Sequence, residues 1–404
     1  MFLTLGGIKS FNDTHIKELP QDLDTLTLYG NQISSFEHSE NLPKGLKLLI
    51  LTSNKISSFE HSEFLPRKLE KIHLGSNQIS SFKGCENLPR NLKELEFEFN
   101  KISSFEYSEN LPRNLEKINL FNNQISSFKR SVNLPKNLKK LNIGYNQISS
   151  FEHSGKLPID LKELNLYGNQ IDSFKFSENL PKGLKKLDLG GNQISSFKGC
   201  GNLPKPLGKL DLWFNQINSL NGSDGLPKKL EMLTLWGNKI SSFEHSENLP
   251  KTIKELDLGG NQINSFKGCE NLPKTLEKLR LDFNQISSFE HSENLPKTIK
   301  ELDLVGNKIS SFEHSYDLPK GLRMLVLDRK KIKYPQIILR YTKFEFRTHL
   351  EYIKFFQHYK YIKPILNEIK YNPRLERMKT ELEEEERQLK EDPETFYNLI
   401  NQNL

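Results

Sequence analysis

Thiols, imidazoles and clustered carboxylates are the groups in this chain that could serve as nucleophiles, bases or metal ligands. Cys85, Cys200 and Cys269 stand 115 and 69 residues apart, both multiples of 23. Six of the ten histidines (His38, His61, His153, His245, His291, His314) sit in Glu-His-Ser triplets, with 23 residues from His38 to His61 and from His291 to His314. One period shared by different chemistries points to an internal repeat before it points to a site. Each adjacent histidine pair offers two ligands where a zinc site needs three or four. No phosphate-cradling glycine loop, nucleophile elbow or HExxH occurs, so no catalytic, cofactor-binding or metal-binding residue is expected, and no enzyme. Glu94, Glu96 and Glu98 alternate along the chain and should project from one face of a strand. Either Lys71 and Lys117, one period away on either side, neutralise them, which is the expectation, or a cation or basic ligand does.

The element that must position these residues is the repeat itself. Asn31, Asn54, Asn77, Asn100, Asn123, Asn146, Asn169, Asn192, Asn215, Asn238, Asn261, Asn284 and Asn307 follow one another at 23 residues without an insertion. One copy runs from Leu184 through Leu187, Leu189, Asn192, Ile194 and Phe197 to Leu203-Pro204; positions are numbered here from Leu184 as one. The Leu-x-Leu alternation gives a short strand that buries positions four and six and leaves three, five and seven facing solvent. Ile at eleven and Phe at fourteen complete the core, the phenylalanine column being broken only by Leu220. Burying such a side chain contributes roughly 1.5–3 kcal/mol, but one coil cannot enclose its own core, so stability comes from its neighbours. The turn asparagine is expected to bond backbone groups left open where the strand ends. The chain has no alanine and only three valines, a bias suited to one short unit copied many times.

These residues match LxxLxLxxN, and the chain resembles the leucine-rich repeat family over about residues 1 to 330. Its Leu-Pro steps (Leu42-Pro43, Leu65-Pro66, Leu88-Pro89) look like the LPX arrays of some bacterial effectors. Its AT-rich compositional bias resembles uncharacterised leucine-rich repeat proteins of giant viruses that infect amoebae. The resemblance implies an α/β solenoid, a curved rod with a parallel concave sheet of about 15 short strands, an irregular or 3-10 convex side and a C-terminal helical cap. It also implies a non-enzymatic scaffold that binds a protein or peptide on the concave face. The cysteines, all at position 17, would lie about 24 and 14 Å apart at 4.8 Å per coil, beyond disulfide reach.

On that face the core columns hardly vary, while positions three, five, seven and eight do. Position three mixes Lys and Glu, which should pair laterally. Position five becomes acidic in its second half, with Asp188, Asp211, Thr234 and Asp257. Position seven carries Phe121, Tyr167, Trp213 and Trp236, and exposed aromatic clusters of this kind are the composition of binding hot spots. Those eight residues are the expected ligand-binding set, with the two tryptophans side by side at its centre and facing solvent.

Three regions are expected: a degenerate first coil over 1–22, the array over 23–330, and a β/helical capping region with a charged helical tail over 331–404. Residues 331–379 carry 12 basic and 4 acidic side chains, and 380–404 carry 2 and 8. Nucleic-acid binding through 331–379 is therefore the competing expectation, although a net charge of +7 over 404 residues is modest. No apolar run approaches the roughly 18 residues of a membrane span, and residues 1–8 lack a signal peptide's basic start. The expected setting is the cytoplasm (a host's, if the gene is viral), without secretion or membrane partners.

Overall fold

In the computed structural model, residues 1–310, 314–315 and 318–327 are described, together with the backbone of 343–345. The chain divides into two compact units, Met1–Glu345 and Phe346–Leu404. The expected capping helices fall outside the described residues.

The first unit carries one open sheet of sixteen strands, all parallel and in sequence order. Each strand spans only positions three to five, as in Lys186–Asp188 and Lys209–Asp211. Partners lie one period apart, Leu187 opposite Leu210. The exception is the last pairing, where Met324 meets Lys343 after 19 residues. Fifteen strands follow the repeat, and the sixteenth, Lys343–Glu345, lies past residue 330, where the repeat stops.

The strands are short because the chain leaves the ladder as soon as its two leucines are buried. Leu187, Leu189, Ile194, Phe197 and Leu203 are all sealed from solvent, and equivalent residues form one continuous core. Phe36 and Phe59 stack with ring centroids 6.2 Å apart. Phe97 stands at position six and meets Phe59 and Phe82 edge-on. The return path is a single 3-10 turn per coil, from Ser39–Asn41 to Ser292–Asn294. Its entry residue at position 16 takes a left-handed backbone, for example Gly199 at φ 86° and His153 at φ 63°.

The asparagines bind successive coils together. The Asn192 amide Oδ1 accepts from Ile171 N at 2.9 Å, one coil back. Its Nδ2 donates to the carbonyls of Leu166, Leu189 and Gly190, each at 3.0 Å. The pattern recurs at Asn77, Asn146 and Asn261. The side chain thus supplies bonds to carbonyls where the turn leaves the ladder, and Gly190 O also accepts from Gly168 N at 2.9 Å. In the first coil Ile8, buried, stands in the asparagine position and donates its N–H to Asn31 Oδ1 at 2.7 Å. A one-turn helix, Thr14–Lys17, capped by Asp13, replaces the 3-10 turn there.

Candidate functional site

The solvent side of the sheet presents three rows: position three, position five, and the paired positions seven and eight. Along the first, opposite charges on neighbouring strands pair. Glu163 lies 3.2 Å from both Lys140 and Lys186, and Lys278 lies 2.9 Å from Glu301. Such half-exposed pairs contribute little to stability, typically a few tenths of a kcal/mol. Between the first two rows runs a shallow trough of about 390 Å³. Lys117, Lys140, Lys186 and Lys209 stand along one wall; Asn142, Asn165, Asp188 and Asp211 stand along the other.

Position five carries Asn or Asp for a local reason. The N–H groups of positions six and eight donate to the next coil (Leu189 N to Asp211 O, Gly191 N to Trp213 O, both 2.8 Å), which leaves the N–H of position seven pointing away from the ladder. The position-five side chain accepts it: Asn142 Oδ1 from Gly144 N at 3.0 Å, Asn165 Oδ1 from Tyr167 N at 2.8 Å, Asp188 Oδ1 from Gly190 N at 2.9 Å, Asp257 Oδ1 from Gly259 N at 3.0 Å. Burial, reinforced by the neighbouring Asp211 charge, pushes the Asp188 carboxyl up to about 7. Asp257 is likewise raised to about 7 by burial and by Asp282, although Arg280 lies 3.4 Å away. Asp211 instead pairs with Lys209 at 3.3 Å, and Thr234 lies between Asp211 and Asp257 in the ladder register.

The aromatic row corrects the expectation of solvent-facing rings. Tyr167 is 8% and Trp236 9% exposed; Phe121 and Trp213 are half-buried. The rings run along the sheet as a chain: Phe121 to Tyr145 and Tyr145 to Tyr167 edge-on at 4.9 Å, and Tyr167 stacked on Trp213 at 4.7 Å and 6°. Phe214 then sits between Trp213 and Trp236, at 5.1 and 4.8 Å. The two tryptophans lean opposite ways. Trp213 covers Gly190 one coil back, where a β-carbon would lie 2.0 Å from the indole nitrogen; Trp236 covers Gly259 one coil forward. Each indole N–H meets a carboxylate. Trp236 donates to Asp282 at 3.0 Å, and a bond from Trp213 opposes the rise at Asp188. Gly190 and Gly259 are the sockets that admit these rings.

Position eight is left-handed throughout, and four aromatics occupy it: Phe99, Tyr145, Phe214 and Phe283, at φ 56°, 49°, 48° and 51°. A bulky residue there costs of order 1–3 kcal/mol. Tyr145, Phe214 and Phe283 each lie over a glycine of the next coil (Gly168, Gly237, Gly306), and that ring burial offsets the strain.

Glu94 and Glu96 sit as expected between their lysines, whereas Glu98 pairs with neither. Lys117 Nζ lies 2.7 Å from Glu94 and 2.6 Å from Glu96, and Lys71 lies 3.1 Å from Glu94. Burial and the adjacent Glu94 hold the Glu96 carboxyl above the usual range. Sequence reasoning missed His73, which the ladder places opposite Glu96; the signal was that both occupy position five on consecutive coils. Glu98 leans back over Gly75, and burial raises its carboxyl. The cysteines are buried, which pushes the thiols of Cys200 and Cys269 up to about 12 and makes them poor nucleophiles. The position-16 histidines are partly exposed on the outer side, where His38 lies 3.5 Å from Glu40 and His291 3.8 Å from Glu293.

Among the described residues no helix is long and apolar enough to cross a membrane. Comparison with known proteins gives a consistent picture. Leucine-rich repeat profiles match residues 159–205, as two copies, and 250–265. No curated protein matches. A leucine-rich repeat protein of Leptospira interrogans is similar in structure, at 27% identity and a TM-score of 0.66, over 85% of this chain and 89% of that one. An internalin of Listeria monocytogenes, InlF, is similar at 25% identity and a TM-score of 0.58, over 74% and 86%.

Proposed function

We propose that this chain, a leucine-rich repeat protein, is a non-enzymatic scaffold that binds a protein or peptide along the open face of its sheet. The observation that carries the reading is the contrast between columns. The leucine, isoleucine, phenylalanine and asparagine positions repeat almost unchanged, whereas the accessible face varies from coil to coil and contains the trough between Lys140 and Asp211. A surface that the core columns do not dictate is free to carry specificity. Phe121 and Trp213 supply half-buried apolar edges beside it; Asp188, Asp211, Thr234 and Asp257 supply acceptors. Tyr167 and Trp236 then act by holding the exposed rings in place. The setting we infer is cytoplasmic.

Selection of a displayed peptide library on the full chain tests this. Selected peptides should lose binding to a Lys140→Glu, Lys186→Glu, Lys209→Glu variant and keep it with the outer-side variant Lys129→Glu. Equal binding to both variants would sink the reading. Retention of random oligonucleotides with a steep salt dependence would favour nucleic-acid capture instead.

A further inference from the structure

The geometry points to a divalent transition-metal site of the zinc class on the open face at His73, Glu94 and Glu96, guarded by Lys117. One imidazole nitrogen and one oxygen from each carboxylate lie within 4.8 Å of one another. The backbone explains why they meet: His73 and Glu96 are ladder partners, and Glu94 precedes Glu96 by two residues on the same face. An ion at 2.0–2.2 Å from each donor needs the donors roughly 3–3.5 Å apart, which a small rotation of three side chains achieves. No hydrogen bond or ion pair engages the His73 ring among the described residues, so the ring is available as a ligand.

Two further observations point to a dication. Lys117 Nζ already stands within hydrogen-bond distance of both carboxylates, so a cation is favoured at this point, and its side chain is 41% exposed, which lets it swing into solvent. Glu98, two residues past the strand, adds a third carboxylate, and its buried Oε2 has no hydrogen-bond partner among the described residues. Three carboxylates therefore face two ammonium groups, Lys71 and Lys117. Replacing Lys117 by a dication balances that charge. The nitrogen donor and small ligand number suit zinc over calcium, which takes six to eight oxygens.

Zinc titration of the full-length protein by calorimetry and thermal melting provides the test. One equivalent should bind and raise the melting temperature, while magnesium should do neither. Binding should weaken by about tenfold or more in His73→Ala and in His73→Gln, which keeps the half-buried volume. Lys117→Met should bind about tenfold more tightly than wild type, because the internal competitor is gone. A His38→Ala, His61→Ala variant should bind as wild type does, since those outer histidines lie far from the site. Undiminished affinity in both His73 variants, no gain in Lys117→Met, no zinc binding in either wild type or Lys117→Met, or equal response to magnesium would each overturn the proposal.

Discussion

Two coils use the same socket in opposite ways. Gly75 and Gly190 both stand at position seven, and in each case the position-seven side chain of the next coil leans back over the bare backbone. Over Gly190 that side chain is Trp213, stacked on Tyr167 and bonded to Asp188. Over Gly75 it is Glu98, whose buried oxygen finds no partner. The repeat thus builds an identical cavity, and one substitution decides whether it holds a ring that stiffens the face or a carboxylate that charges it. In the indole-filled stretch polar groups serve packing; in the carboxylate stretch packing is relaxed in favour of charge.

Removing the rings is the most damaging way to break this contrast. Trp236→Ala empties a nearly sealed site over Gly259 and takes a donor from Asp282, so unfolding in urea should show a loss of about 3–5 kcal/mol. A loss below about 1 kcal/mol would mean that the indole is dispensable to the fold. Closing a socket should cost less. Gly190→Ala places a methyl where the Trp213 indole lies, and we expect about 1–3 kcal/mol of destabilisation with a shift in tryptophan fluorescence, whereas the same change at Gly201, in the outer turn, should leave the fluorescence unaltered.

Glu98→Gln has the opposite sign. It removes a buried charge while keeping the shape, and stability at pH 8 should rise by about 1 kcal/mol; a fall would show that the carboxylate is engaged. The remaining effect is pH-dependent and concerns Asp188. Its folded-state value near 7 exceeds the ordinary aspartate value, so the fold holds the proton more tightly than the unfolded chain does. The associated stability is fully present below about pH 4 and is lost as pH rises through 7. Asp188→Asn should flatten that decline, leaving the share due to Asp257. An unchanged profile of melting temperature against pH would show that Asp188 titrates alike in both states.

Much of this was legible beforehand. A constant 23-residue step placed the leucine, isoleucine and phenylalanine columns of the core, because a residue's column is set by its register alone; Phe11 and Ile16 of the first coil are buried outside those columns. The lateral pairing of Lys71 and Lys117 with Glu94 followed from the same step. What escaped was the side-chain direction at position seven. Period-two alternation sends that residue to solvent, but it ceases to apply where the strand has already ended, and position seven lies two residues past the strand.

The sequence by itself determined the number of coils, the parallel order of the strands and the composition of the core, since all three depend only on a period and on which side chains avoid water. Only the tertiary structure decided how the face is furnished: that Asn165 and Asp188 turn inward to cap a stray N–H, that Trp213 and Trp236 lean apart onto Gly190 and Gly259, and that His73 meets Glu96. Those outcomes depend on the space and the polar groups that one coil leaves for the next, a property of two stacked turns that no single turn contains.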